Sequence, residues 1–141
     1  MDKREAEDLL DFVAMATVCD VMSLTGENRI LVKEGLKRIR HTKNIGLQAL
    51  MQACNVQPEN ISAYHFGYVL GPCVNATGRL DTARHALRLF ETGQETEAEE
   101  IARDLVDLNQ ERKELTLQGV EMAKKLCEEG GYENDPVLVL F

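Results

Sequence analysis

One helix-length pattern constrains this 141-residue chain more than any other feature. Between residues 95 and 129, Ala98, Ile101, Leu105, Leu108, Leu115, Met122 and Leu126 recur at three- and four-residue steps, with Arg112 and Gly119 at the positions between. Such spacing lays one apolar stripe along a single helix of about five heptads. The other faces are polar and mostly acidic, so this helix is expected to pack on one side only or to span between domains. Gly130-Gly131 stops it, and residues 136–141 follow as an apolar run of β type. A strand with no visible partner implies a chain cut from something longer.

Upstream, the chain reads as short helices broken by polar turns. Residues 9–21 form an apolar helix. Residues 27–40 form a second, with Ile30, Leu31, Leu36 and Ile39 as its apolar stripe and Lys33, Lys37, Arg38 and Arg40 largely opposite. Others are predicted over 47–54, from Pro58 through Tyr64 to Leu70, and from a cap at Asp81 to Phe90. The expected fold class is mainly α: a bundle of short helices followed by one long connecting helix, with a β-strand at the C-terminal end.

Composition narrows the function classes. No stretch approaches the roughly 20 apolar residues that span a bilayer, and the N-terminus is polar and mixed in charge, unlike a signal peptide. A cytoplasmic location is expected. Cys19, Cys54, Cys73 and Cys127 contain no C-x-x-C pair, which argues against zinc and against a disulfide framework. The net charge of −8 is uneven. Residues 1–28 carry −5, residues 29–88 carry +6 and residues 91–135 carry −9. Only the middle stretch suits a polyanion.

Two places invite chemistry. Asp20 lies in the run 9–24, whose only other charge is Asp11. A carboxylate in apolar company needs a metal, a cation or N–H donors, since burying it unpaired costs several kcal/mol. Asp11 is nine residues away, on the opposite helical face at about 100° per residue, so any co-ligand comes from elsewhere. From the residues alone, a capping Asp held by local N–H groups is the commoner outcome. The second place is 71–80, which opens with Gly-Pro, a helix stop, and offers Asn75, Thr77 and Arg79 around Gly78. Arg79 would suit a phosphate, because its planar fork makes bidentate contacts. A plain helix–helix connection with an ion-paired Arg fits the spacing as well.

Three motifs carry a resemblance. Leu10 to Val21, with Thr17-Val18-Cys19-Asp20 near its end, resembles LDLVALGTVADV, and Leu24 to Val32 continues it without a gap. Gly71 to Leu80 resembles GPRLNAAGRL, and Leu108 to Lys113 fits an LNxxR segment. These are motifs of the RecJ family of single-stranded-DNA-specific exonucleases, within the DHH phosphoesterase superfamily. The resemblance implies that Asp20 is a catalytic residue and a ligand of a Mn2+ or Mg2+ pair, and hard divalent cations do favour carboxylate oxygen. It also implies metal-assisted hydrolysis of single-stranded DNA from a 5′ end. By the same resemblance, Asn75 and Arg79 contact phosphate. Lys33, Lys37, Arg38 and Arg40 are expected, from their charge, to guide the strand.

The chain departs from the family pattern at several positions. Cys73 stands where the family has Arg, which removes one phosphate contact; Cys19 replaces Ala, Ala16 replaces Gly and Thr77 replaces Ala. The family's Asp-His-His motif is absent, and His41, His65 and His85 match no ligand motif. The expectation is therefore a central segment of such an enzyme. Residues 1–92 would be the helical end of a catalytic domain, 93–130 an interdomain helix and 131–141 the start of a second domain. Alone, this segment is expected to bind no metal, to lack nuclease activity and to self-associate through exposed apolar surface. The alternative is a stand-alone helical module that binds a partner helix or dimerises through the 98–126 seam.

Overall fold

The computed structural model describes residues 7, 9–80, 83–130, 132, 137 and 139, with backbone alone at 79 and 80. Its elements are α1 (Leu10–Cys19), α2 (Gly26–Arg38), α3 (Ile45–Ala53), α4 (Gly71–Leu80), α5 (Ala83–Glu91) and α6 (Glu95–Gly130). Short 3-10 turns cover Ile39–His41 and Pro58–Asn60, and a helical turn at Ala63–His65 leads into a π-helical turn at Phe66–Leu70. The mainly helical class holds. The expected terminal strand does not appear among the described residues: Val137 and Val139 lie outside any strand, and the rest of 136–141 is outside the described residues. The Asp81 cap is also outside them. No described helix is long and apolar enough to cross a membrane.

Two compact units divide the chain, Met1–Asn109 and Gln110–Phe141. The core lies in the first. Leu47, Leu50 and Met51 of α3 meet Phe66, Leu70, Leu89, Ile101 and Leu105 there. The long seam is used only in part. Ala98, Ile101, Ala102 and Leu105 are buried, whereas Leu115 and Met122 are 50% and 66% exposed.

Glycines set the closest approaches. A Cβ on Gly35 of α2 would lie 2.2 Å from the Leu10 carbonyl oxygen and 2.3 Å from the Ala14 Cβ, so α1 and α2 touch nearly backbone to backbone. That contact rotates α2 away from its predicted stripe. Val32, Gly35 and Ile39 face inward, and Ile30 is 62% exposed.

Gly71-Pro72 does not stop a helix, contrary to the sequence expectation. Helical backbone runs from Ala63 through Leu80. Pro72 has no N–H and its ring crowds the carbonyl four residues back, which breaks a regular α-helix. Here the preceding turn is widened, and the Gly71 N–H reaches the Phe66 oxygen five residues back. A π turn of this kind lets the helix pass a proline, and such turns are frequent at functional sites. The true break comes earlier, at Ile61–Ser62, where the backbone is extended. The helix then restarts on a capping box between Ser62 and His65.

Candidate functional site

Asp20 is exposed and forms the C-cap of α1, so it is not the awkwardly buried acid that its apolar run suggested. Its own N–H donates to the Ala16 oxygen at 2.9 Å. The next two N–H groups complete a Schellman ending. Val21 donates to the Val18 oxygen at 3.1 Å, and Met22 donates back to the Thr17 oxygen at 3.1 Å. That ending requires a left-handed residue at Val21, whose φ is 55°. Glycine is usual there, and a β-branched residue is strained by roughly 1–2 kcal/mol. Strain of this kind collects at functional sites. Val21 is 88% exposed, so Val21→Gly removes little packing. We expect it to raise unfolding stability by about 0.5–1 kcal/mol in denaturant titration, after the extra entropy of a glycine in the unfolded chain.

The buried acid of the run is Asp11, 5% exposed, against α2. Its Oδ2 accepts from the Thr42 hydroxyl at 2.8 Å and its Oδ1 from the Phe12 N–H at 2.8 Å. Two donors and a neighbouring cavity of about 670 Å³, lined by Lys37, Arg38, His41 and Lys43 among others, explain how a carboxylate sits there.

Next to Asp20, Cys19 is wedged against the π turn. Its thiol donates to the Phe66 oxygen at 3.4 Å, the same oxygen that accepts the Gly71 N–H. A Cβ on Gly71 would lie 2.3 Å from the Cys19 sulfur and 2.5 Å from the Phe66 oxygen. Burial, and then the Asp20 charge, push the Cys19 thiol above its ordinary value, so it stays protonated and packs as a neutral group. This junction locks the end of α1 to the start of α4. It brings the segment ending in Asp20 against the helix that bears Asn75 and Arg79. Asn75 is exposed on α4; Arg79 is in the same helix, with its side chain outside the described residues. The expected loop around Gly78 is therefore a helix.

The exposed face of the 63–80 stretch carries a feature that sequence reasoning missed. Tyr64 and Tyr68 are 63% and 73% exposed, and their rings stack at 5.1 Å and 25°. Asn75 is exposed further along the same stretch. The i, i+4 spacing of two tyrosines was the available signal.

The basic residues line two overlapping hollows, with Lys37 common to both. Arg29, Lys33, Lys37 and Arg40 line one groove of about 470 Å³ floored by Leu24, Val32 and Leu36. They follow one another at four-, four- and three-residue steps, a single helical stripe of about 16 Å. Arg29 was not predicted. Arg38 is absent from this groove and lines the Asp11 cavity instead. Lys37 bonds Glu34 at 2.7 Å, and this hydrogen bond holds the Glu34 carboxyl below its usual range.

Among the described residues, no group of three or more His, Cys, Asp or Glu side chains could hold a metal ion. One carboxylate cannot hold a metal pair. His65 serves the capping box and His85 lies 3.3 Å from Asp104.

The fold is thus of a mainly helical class, with a π turn threading a glycine–proline step and an acid capping the helix packed on it. Comparison with known proteins makes it specific: the chain is RecJ-like over most of its length. It is 43% identical over 123 residues to the single-stranded-DNA-specific exonuclease RecJ of Salmonella typhimurium, covering 86% of this chain and 21% of that protein. RecJ of Thermus thermophilus in complex with Mn2+ superposes with a TM-score of 0.75 at 35% identity, covering 92% of this chain and 18% of that one. Its complex with Mg2+ also gives 0.75 at 35% identity, with 20% of that chain covered. The chain thus spans about a fifth of the length of the curated relatives it matches. No protein-family model matches it.

Proposed function

We propose that this chain supplies part of the catalytic cleft of a RecJ-like exonuclease acting on single-stranded DNA from the 5′ end. In this reading Asp20 gives one carboxylate to a Mn2+ or Mg2+ site whose remaining ligands are not among the described residues. Asn75 and Arg79 orient phosphate. Tyr64 and Tyr68 offer a stacked aromatic face to bases, which adds to affinity without demanding a sequence. Arg29, Lys33, Lys37 and Arg40 hold the backbone, while Arg38 is left to the Asp11 cavity. Residues 1–92 form the helical part of the catalytic domain, 93–130 the connecting helix and 131–141 the start of a second domain.

The observation that carries this reading is the Cys19–Phe66–Gly71 junction, which clamps the segment ending in Asp20 onto the helix of Asn75 and Arg79. Electrostatics support it. A carboxylate at a helix C-terminus faces the negative end of the dipole, an unfavourable place for an acid and a favourable one for a cation. Asp20→Asn should therefore leave the metal-free chain as stable as before or more stable by a few tenths of a kcal/mol. By itself the chain is catalytically incomplete. Calorimetric titration with MnCl2 should give weak binding or none, and 5′-labelled oligothymidine should survive incubation with Mn2+. Tight binding abolished by Asp20→Asn would show a self-sufficient site and overturn the claim of incompleteness.

A second reading has an observation of its own. Leu115, Met122 and Leu126 form the bare end of the α6 seam, and Leu117 beside them is 66% exposed. Such a stripe suits self-association or a partner helix. Sedimentation equilibrium should reveal concentration-dependent dimers that Leu115→Gln with Met122→Gln abolishes. A strict monomer at high concentration would remove this reading.

A further inference from the structure

We propose that Cys54 and Cys73 are an oxidisable dithiol that latches the end of α3 to the first turn of α4. Neither is in a disulfide, and their sulfurs lie 3.8 Å apart although the residues are 19 apart in the chain. A disulfide needs about 2.0 Å between sulfurs, so the pair must close by less than the length of one C–C–C step. The surroundings permit that movement on one side and hold firm on the other. Cys54 is the C-cap of α3, at the end of a helix, and is only half-buried. It is followed by Asn55 in the left-handed conformation, with φ 55°. Cys73 is 3% exposed; its sulfur donates to the Val69 oxygen at 3.3 Å and meets the Asn109 amide at 3.6 Å. The accessible thiol therefore reacts first and the buried one resolves it.

The chemistry balances with a peroxide as the oxidant. The Cys54 thiolate attacks one peroxide oxygen, the O–O bond breaks, and Cys54 becomes a sulfenic acid as the other oxygen leaves as water. The Cys73 thiolate then attacks the Cys54 sulfur; the S–S bond forms and the sulfenic oxygen leaves as a second water. Two electrons pass from the thiols to the peroxide, and the two thiol protons end in the waters. In a reducing compartment the pair stays open, and an oxidising challenge closes it. Cys73 precedes Asn75 by two residues, so closure fixes the turn that leads into the exposed face of α4.

The test uses the whole chain with hydrogen peroxide at neutral pH. Expected is the loss of two of the four thiols, a mass lower by two hydrogens, a Cys54–Cys73 cross-linked peptide and an unfolding midpoint raised by several degrees, all reversed by dithiothreitol. Cys54→Ser should block the change, and Cys19→Ser with Cys127→Ser should leave it intact. Cys54 oxidised to sulfinic acid without a cross-link would overturn the proposal. So would a disulfide through Cys19 or Cys127, or four thiols that persist.

Discussion

Neutralising Lys33, Lys37 and Arg40 together with glutamine is expected to weaken binding of a fluorescent oligothymidine by roughly 100-fold at 0.1 M salt, at about 1 kcal/mol for each lost phosphate contact. The physical ground is their shared groove: the three heads and Arg29 line one helical stripe beside an apolar floor. Each phosphate contact on a single strand adds about 0.7 to the slope of log affinity against log salt, so the triple variant should lose about 2 from that slope. The control removes the same charge elsewhere. Lys113, Lys124 and Lys125 are exposed on α6, where the neighbouring residues are mainly acidic, and their neutralisation should leave both affinity and slope nearly unchanged. Anisotropy titrations from about 50 to 200 mM salt decide the matter. If the triple variant and the control behave alike, the groove does not carry the strand, whatever the chain's relatives do.

The difference between the predicted and observed basic surface shows what a sequence can and cannot convey. Periodicity found the helix, and it found Lys33, Lys37 and Arg40. It could not separate Arg38 from them or add Arg29, because the rotation of α2 about its axis is set by Gly35 against Leu10 and Ala14, a contact between distant residues. The same limit explains the two acids of α1. Placing Asp11 and Asp20 on opposite faces was within reach of the sequence, but choosing the inward one was not. Thr42, 31 residues on, is what satisfies Asp11 inside. At Gly71-Pro72 the local rule was sound and its conclusion was reversed. Proline does exclude a regular helix, and the chain answered by widening one turn. The long helix was the easiest element to read, but its spacing could not tell that the stripe is buried at Ala98, Ile101 and Leu105 and exposed at Leu115 and Met122.

The junction beside Asp20 yields the sharpest contrast between two glycines of one helix. Gly71→Ala should lower unfolding stability by about 1–3 kcal/mol, the usual cost of forcing a methyl group into a packed interior. The methyl would meet the Cys19 sulfur at 2.3 Å and the Phe66 oxygen at 2.5 Å, and the second of these is backbone that cannot rotate away. Either α1 lifts from the π turn or the turn rewinds, and Asp20 moves with it. Gly78→Ala, two turns on, should act in the opposite sense. A Cβ at Gly78 has nothing within 4 Å, so alanine there gains about 0.5–1 kcal/mol of helix preference. Urea titrations of the two variants beside the unmodified chain measure both signs. A second substitution isolates the cause: Cys19→Ala removes the sulfur that the new methyl would strike, so it should recover part of the Gly71→Ala loss, with a coupling of at least about 0.5 kcal/mol for groups in contact. Strict additivity of the two substitutions would mean that α1 and the π turn are not clamped here, and the placement of Asp20 beside α4 would lose its physical basis.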